Sequence, residues 1–302
     1  LDEEQLKKFV TLLAILLIMC CLGQSQLPQE SPFYIPKHTF TLSELKKRTP
    51  LSRFHPSLSQ NVVVYFSPHA DDEVLTFGVP IKNDLAAHKK VYVVLLSLGE
   101  YSTARYVVNG RRDQPFSKPI LCPIHHRIHS PKKEHFHFLN PNQFGRARVR
   151  EFFLATTAMG IPYEQTAFYK VRNGRFPRKQ VESIVKSWIH MFPNATFKSM
   201  SQHDFHIDHA MVGKVVNDLV RRRQIQEQAY YISIATEMKN IVKKNKKMVK
   251  LKKLEDRKDI LKAVQIYSSW NPSKGYFGLG IHSVESQFDH LKKRTSIYQY
   301  SN

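Results

Sequence analysis

Asn61-Val62-Val63-Val64-Tyr65-Phe66-Ser67 runs without a break into Pro68-His69-Ala70-Asp71-Asp72-Glu73, and this junction decides the fold. A short apolar run rich in β-branched residues marks a strand buried on both faces. Helical spacing follows over Asp72–His88, and Val91–Ser97 forms a second buried strand ending in Leu98-Gly99-Glu100. Strand, helix, strand at this separation is a βαβ unit, which implies a parallel pair with a right-handed crossover.

The pattern continues outward. Arg146–Met159 reads as a helix that stops at Gly160 before Pro162. Ala167–Val171 reads as a strand, Arg178–Met191 as a helix closed by Pro193, and Thr196–Met200 as a strand feeding the loop Ser201–Asp208. His209–Arg223 is helical, Tyr230–Ala235 (YYISIA) is a strand and Lys258–Ser268 is a helix. There are no internal repeats. The alternation predicts an α/β fold: a Rossmann-like open, mostly parallel sheet with helices on both faces, in a single catalytic domain.

Composition sets the outer bounds. The 302 residues carry a net charge of +21, with 42% hydrophobic and 24% charged residues, which excludes global disorder and collagen-like or mucin-like chains. Three cysteines make no disulfide framework, since Cys20 and Cys21 sit in an apolar leader and Cys122 stands alone. Lys7 and Lys8 precede the apolar run Phe9–Leu22, too short for the roughly 20 residues of a membrane span but suited to a secretory h-region. The expected organisation is a signal peptide or N-terminal anchor at 1–23, a proline-rich linker or arm at 24–58, and the catalytic domain at 59–302, exported or tethered outside the cytoplasm.

Two segments carry chemistry. Pro68-His69-Ala70-Asp71-Asp72-Glu73 lies where the first strand ends, and His203-Asp204-Phe205-His206-Ile207-Asp208-His209 lies at a second strand–helix junction. Ligands of open α/β sheets bind outside the carboxyl ends of strands. His69 with Asp72, and His206 with His209, are each three residues apart and can face one point. Two imidazoles and a carboxylate with a fourth place open to water make a catalytic zinc arrangement, in which the ion lowers the pKa of water toward about 7 and polarises a carbonyl. Asp71 and His206 are left to act as base and as oxyanion partner or acid, and Asp208 is the nearest group to orient the histidine. An isolated Asp-Asp-Glu at a helix start is ordinary dipole compensation. Two such segments at two junctions are not.

Pro68-His69-Ala70-Asp71-Asp72-Glu73 resembles the P/A-H-P-D-D-E motif of the GlcNAc-phosphatidylinositol de-N-acetylase (PIG-L or LmbE-like) family, and His206-Ile207-Asp208-His209 resembles its H-P-D-H motif. Leu98-Gly99-Glu100 is similar to its T-D-G-E segment, and Arg148-Val149-Arg150-Glu151 running to Ala158-Met159-Gly160 to its R-x-x-E…A-x-x-L-G helix. Ala70 and Ile207 stand where the family has proline, and Leu98 where it has Asp. The resemblance covers roughly residues 60–270. It implies a zinc-dependent hydrolase that removes acetyl from an N-acetylglucosamine-type conjugate. It also implies His69, Asp72 and His209 as ligands of Zn2+ (or another divalent first-row metal), Asp71 as general base, His206 as oxyanion stabiliser or acid, Asp208 as its orienter and Arg148 as the sugar-binding arginine.

Two competing readings use the same residues. One is a metal-dependent phosphodiesterase built on Asp71, Asp72 and Glu73, whose chemistry favours oxygen-rich Mg2+ sites rather than two histidines. The other is a non-catalytic carbohydrate-binding or wall-binding protein, which has no need of Asp71 and His206. Lys239–Lys253 holds eight lysines and no acid, and reads as a solvated helix or loop, or as a contact for an anionic membrane or wall polymer. Export makes nucleic acid the least favoured partner. The patch of His125, His126, His129, His135 and His137 follows no ligand spacing and reads as a polar loop at the pocket rim. Tyr276-Phe277-Gly278 and His282-Ser283-Val284 form an expected C-terminal flap over the site.

Overall fold

The computed structural model describes residues 61–300, residues 115 and 243 excepted. The expected leader and arm lie outside the described residues. β1 (Val62–Ser67) is buried along its whole length and leads through α1 (Asp72–Leu75) and α2 (Gly78–Ala86) to β2 (Lys90–Leu95). The single helix expected over Asp72–His88 is therefore broken. Pro80 explains the break: it has no N–H to give a continuing helix, yet is tolerated in the first turn of a new one.

After α3 (Ala104–Asn109) comes a long segment of irregular chain, then α4 (Pro141–Ala158). α4 starts five residues before the expected Arg146, because Asn140 and Gln143 form a reciprocal capping box. β3 (Thr166–Phe168), α5 (Arg178–Met191), β4 (Thr196–Met200), α6 (Ile207–Arg221) and β5 (Glu227–Ile232) follow. The strand expected to run to Ala235 ends earlier, because the Ser233 side chain accepts the N–H of Thr236 and caps α7 (Ile234–Met238).

The lysine-rich stretch is neither helix nor loop throughout, since it contains β6 (Lys246–Lys250). α8 (Arg257–Ser268), the short β7 (Trp270–Asn271) and β8 (Tyr276–Phe277), α9 (Leu279–Lys292) and β9 (Ser296–Tyr300) complete the described chain.

The main sheet has the order β3-β2-β1-β4-β5-β9-β6. β1 to β5 pair in parallel, while β9 runs antiparallel to both β5 and β6. β6 is thus an edge strand, where lysines block pairing with other chains. Alternation along β1 sends Val63 and Tyr65 to one face, against Val149, Phe152 and Phe153 of α4 and Ile260 and Val264 of α8. Val62, Val64 and Phe66 face the other layer, with Trp188 of α5 and Val212 and Val216 of α6. This is the predicted α/β fold, helices on both faces of a mostly parallel sheet. From β1 the chain builds outward through β2 and β3, then returns to add β4 and β5 on the opposite side. The switch falls between β1 and β4, where open sheets hold their ligands.

Candidate metal centre and active site

The two motif segments leave the carboxyl ends of β1 and β4, neighbours in the sheet, and so meet at that switch point. Nδ1 of His69 lies 3.2 Å from Nε2 of His209, and Oδ2 of Asp72 lies 3.5 Å from the first and 3.1 Å from the second. Vertices of a tetrahedron with zinc–ligand distances of 2.0–2.1 Å are about 3.3 Å apart. The three donors therefore form one face of such a tetrahedron. His206 offers a further ring nitrogen within 4.8 Å of those of His69 and His209. None of its nitrogens is in the tight triangle.

Neighbouring groups fix each donor. The backbone N–H of His69 donates to Oδ2 of Asp72 at 3.0 Å, locking the turn that brings them together. Nε2 of His69 contacts Oδ2 of Asp208 at 3.1 Å, and Asp208 also accepts the N–H groups of Gly174 and Phe176. Nδ1 of His209 contacts Oδ1 of Asp204 at 3.1 Å, and the N–H of Ser233 donates to the other oxygen. Both histidines thus present one nitrogen to the centre and the other to a carboxylate, the usual support of a metal-ligating imidazole. Burial alone would depress His69 and His209, but their carboxylate partners outweigh it and raise both. Asp72 is held well below the ordinary carboxylate range: burial works against its charge, and the two histidines overcome it. A pocket floor that favours positive charge and offers two imidazoles and a carboxylate fits a zinc-class divalent ion.

Asp208 departs from expectation. Its carboxylate supports His69, and only its backbone N–H meets His206, donating to Nδ1 at 3.2 Å. That bond makes His206 the cap of α6 and fixes its neutral form with the proton on Nε2. Burial, then the neighbouring charges of His209 and His69, push His206 down to about 4.

Asp71 sits at φ 128°, a conformation that costs a non-glycine residue of order 1–3 kcal/mol and is found where function holds it. Nη2 of Arg148 donates to its Oδ2 at 2.9 Å and also to the carbonyl of Ala70. Burial pushes the Asp71 carboxyl up to about 6, against the pull of Arg148. Arg148 lines the pocket but is only 4% exposed, so it acts on Asp71 before it meets any substrate. Gly99 makes room for it: a Cβ there would come within 3.1–3.2 Å of the guanidinium.

Glu73 turns away from the pocket. It accepts the hydroxyl of Tyr267 at 2.5 Å and the N–H of Asp71 at 3.0 Å, so Asp71, Asp72 and Glu73 do not assemble an oxygen-rich magnesium site.

His69, Asp71, Asp72, Arg148, His206 and His209 floor a cavity of about 440 Å³, walled also by Asn173, Phe205, Lys239, Ser283 and Gln287. Of the expected C-terminal flap only Ser283 and Val284, in the first turns of α9, line the pocket, with Ser283 3.3 Å from Nη1 of Arg148; Tyr276 and Phe277 form β8, and Phe277 is buried in a separate core cluster. Asp204 is a supporting residue that the motif spacing does not single out. Its signal is the HDFHIDH run, with an acid five residues before His209 that can reach the nitrogen facing away from Asp72. The histidine patch also differs from its reading: His125 and His129 converge with Cys122 and His282, away from this pocket.

The family model described as GlcNAc-PI de-N-acetylase matches residues 64–220. No curated protein matches the sequence. Among solved structures, the A40926 pseudoaglycone deacetylase aligns with TM-score 0.52 at 12% identity, over 80% of this chain and 96% of its own. A teicoplanin-pathway deacetylase gives 0.51 at 13%, over 79% and 96%. The N,N'-diacetylchitobiose deacetylase of Pyrococcus horikoshii gives 0.51 at 14%, over 84% and 89%. At these identities the structures share the fold. The matched model spans both motif segments and just over half the chain, and the chain belongs to the GlcNAc-PI de-N-acetylase (PIG-L) family of metal-dependent N-deacetylases.

Proposed function

We propose that this chain is a zinc-dependent N-deacetylase that removes acetyl from an N-acetylglucosamine-type conjugate. The observation that carries the reading is the triangle of His69, Asp72 and His209, with Asp71 and His206 beside it in one pocket. An ion held by those three side chains supplies Lewis acidity, polarising the acetamide carbonyl and lowering the pKa of water toward about 7. Asp71, raised by burial toward neutrality, accepts the proton lost by the attacking water and returns it to the departing amine. Arg148 keeps that carboxyl oriented and limits how far burial raises it. His206, neutral and protonated at Nε2, donates to the carbonyl oxygen as negative charge develops there. This oxyanion role suits it better than acid catalysis, because it holds no labile proton near neutral pH. The products are acetate and a free amino sugar.

Phe205 is 52% exposed on the pocket wall and offers a ring face to the apolar side of a pyranose. Lys239, whose Nζ lies 4.2 Å from that ring's centroid, begins the lysine-rich stretch and favours a conjugate with an anionic portion or an anionic surface beside it. In this proposal the enzyme is exported or membrane-anchored outside the cytoplasm, a reading supported by the apolar run Phe9–Leu22.

Acetate release from a panel of N-acetylglucosamine conjugates, by wild type and by Asp71→Asn with equal metal content, tests it. Release by wild type and loss of two or more orders of magnitude in the variant supports the assignment. Equal rates remove Asp71 from the chemistry.

A further inference from the structure

We propose a second metal site, structural and of the zinc class, formed by Cys122, His125, His129 and His282. One ligand atom from each lies within 4.8 Å of all the others. Sγ of Cys122 is 3.5 Å from Nδ1 of His125, which is 3.2 Å from Nε2 of His129. With zinc–sulfur at 2.3 Å and zinc–nitrogen at 2.0–2.1 Å, tetrahedral edges are about 3.6 Å for S···N and about 3.3 Å for N···N. These two edges match a tetrahedral site, and four protein donors would close it, with no position left for substrate.

The surroundings fit a bound cation as well. Nδ1 of His129 donates to both oxygens of Glu134 at 3.2 Å, and Nδ1 of His282 donates to the carbonyl of Gly278 at 2.7 Å. Each ring is thereby held with Nε2 toward the centre. Nε2 of His282 is buried there with no hydrogen-bond partner, an arrangement that costs free energy unless something binds it. The N–H of His125 donates to Sγ of Cys122 at 3.4 Å, as backbone amides do toward a thiolate. The Cys-x2-His-x3-His turn is closed by the N–H of Cys122 donating to the carbonyl of Arg127 at 2.9 Å. Trp270 stacks on His129 with centroids 4.0 Å apart and shields one side.

The site has a structural task. Between α3 and α4 the described chain has no helix or strand beyond the Cys122–Arg127 bridge, yet Cys122 and His129 are fully or nearly fully buried. A long irregular segment inside a compact domain calls for a staple. Here the staple would tie it to the first turn of α9. His282 is followed directly by Ser283 and Val284, which line the catalytic pocket, so the second ion sets the position of that wall.

The test is metal content and cobalt spectroscopy on the full chain, with no substrate. Wild type is expected to hold two equivalents of zinc. Its cobalt-substituted form should show a near-ultraviolet thiolate-to-cobalt charge-transfer band, which the sulfur-free catalytic site cannot produce. His209→Asn should keep the band and one equivalent, and Cys122→Ser should lose the band and retain one equivalent. Because Cys122→Ser could fail to fold, zinc-edge absorption on His209→Asn gives a second reading, with one sulfur and three nitrogens expected. No thiolate band in wild type, or a band that survives Cys122→Ser, overturns the proposal. None of these readings depends on deacetylation, so this site and the proposed function fail separately.

Discussion

Gly213 on α6 is where the fold and the metal centre are most tightly coupled. A Cβ at this position would lie 2.3 Å from the nitrogen of Gln202, 2.5 Å from the carbonyl carbon of Ser201 and 2.6 Å from the carbonyl oxygen of Met200. All three are backbone atoms of the segment leaving β4, and ordinary contact begins at 3.4 Å. Gly213→Ala therefore forces α6 away from β4 by about 1 Å, since no side chain there can rotate aside. Overpacking of this kind costs about 1–3 kcal/mol, and rigid backbone on the far side puts this case near the top. For a domain of this size each kcal/mol lowers Tm by about 2–4 °C, so a fall of about 6 °C or more is expected.

His209 lies one turn before Gly213 on the same helix, with Nε2 3.1 Å from Asp72 and 3.2 Å from His69. A displacement of about 1 Å there disrupts the triangle and should cost about 100-fold in turnover. Calorimetry reads the first effect, and chelator competition with acetate release reads the second. Gly78→Ala is the control, because the nearest atoms to a Cβ there are those of the Ile260 side chain at 3.6–3.7 Å, an ordinary contact distance. A Gly213→Ala protein with the Tm and metal affinity of wild type would refute the seating of α6 on β4 and the placement of His209 that depends on it.

Other perturbations reach different parts of the molecule. Asp204→Asn removes the charge behind His209 and should weaken metal binding about 10–100-fold by chelator competition. Lys198→Met leaves Asp84 with the buried Tyr65 hydroxyl and only the longer, 3.3 Å pair to the partly exposed Lys89, and should destabilise by about 1–3 kcal/mol in denaturant unfolding. Adding Asp84→Asn should restore part of that loss. Burial pushes Glu151 up to about 8, above its ordinary 4.5, although it accepts the N–H groups of Leu279 and Gly280. Its raised folded-state value means that the stability it contributes is complete below about pH 4.5 and is lost as pH rises through about 8. The slope is at most about 1.4 kcal/mol per pH unit, and Glu151→Gln should flatten it in urea titrations across that range.

The centre of the sheet was legible in the sequence because it is buried on both faces. β1 and β2 are continuous apolar runs, and the chemistry-bearing residues follow β1 and β4 at short range, so spacing alone placed His69, Asp72, His206 and His209 at two junctions. Order in the sheet then brought the junctions together. The antiparallel edge was not legible. β6 carries lysines on a strand with one partner, and its pairing with β9 depends on residues far apart in the chain. The role of Asp208 is not readable from chain order: proximity points to His206, while the α6 cap turns its carboxylate to His69. Asp204 is hidden for the same reason: its partner is chosen by the turn geometry of the loop rather than by a pattern of residue types. The Cys122–His282 convergence is a tertiary event. Cys122, His125 and His129 lie close in the chain among other histidines that take no part, the fourth donor comes from α9, and no local pattern ties the two segments together.

The most direct test of the account is acetate release from an N-acetylglucosamine conjugate by one preparation measured three times: as purified, after complete removal of metal, and after zinc is restored. Turnover is expected in the first state, none in the second, and recovery in the third that His209→Asn does not show. Turnover that persists after metal removal, or that survives His209→Asn, would contradict it.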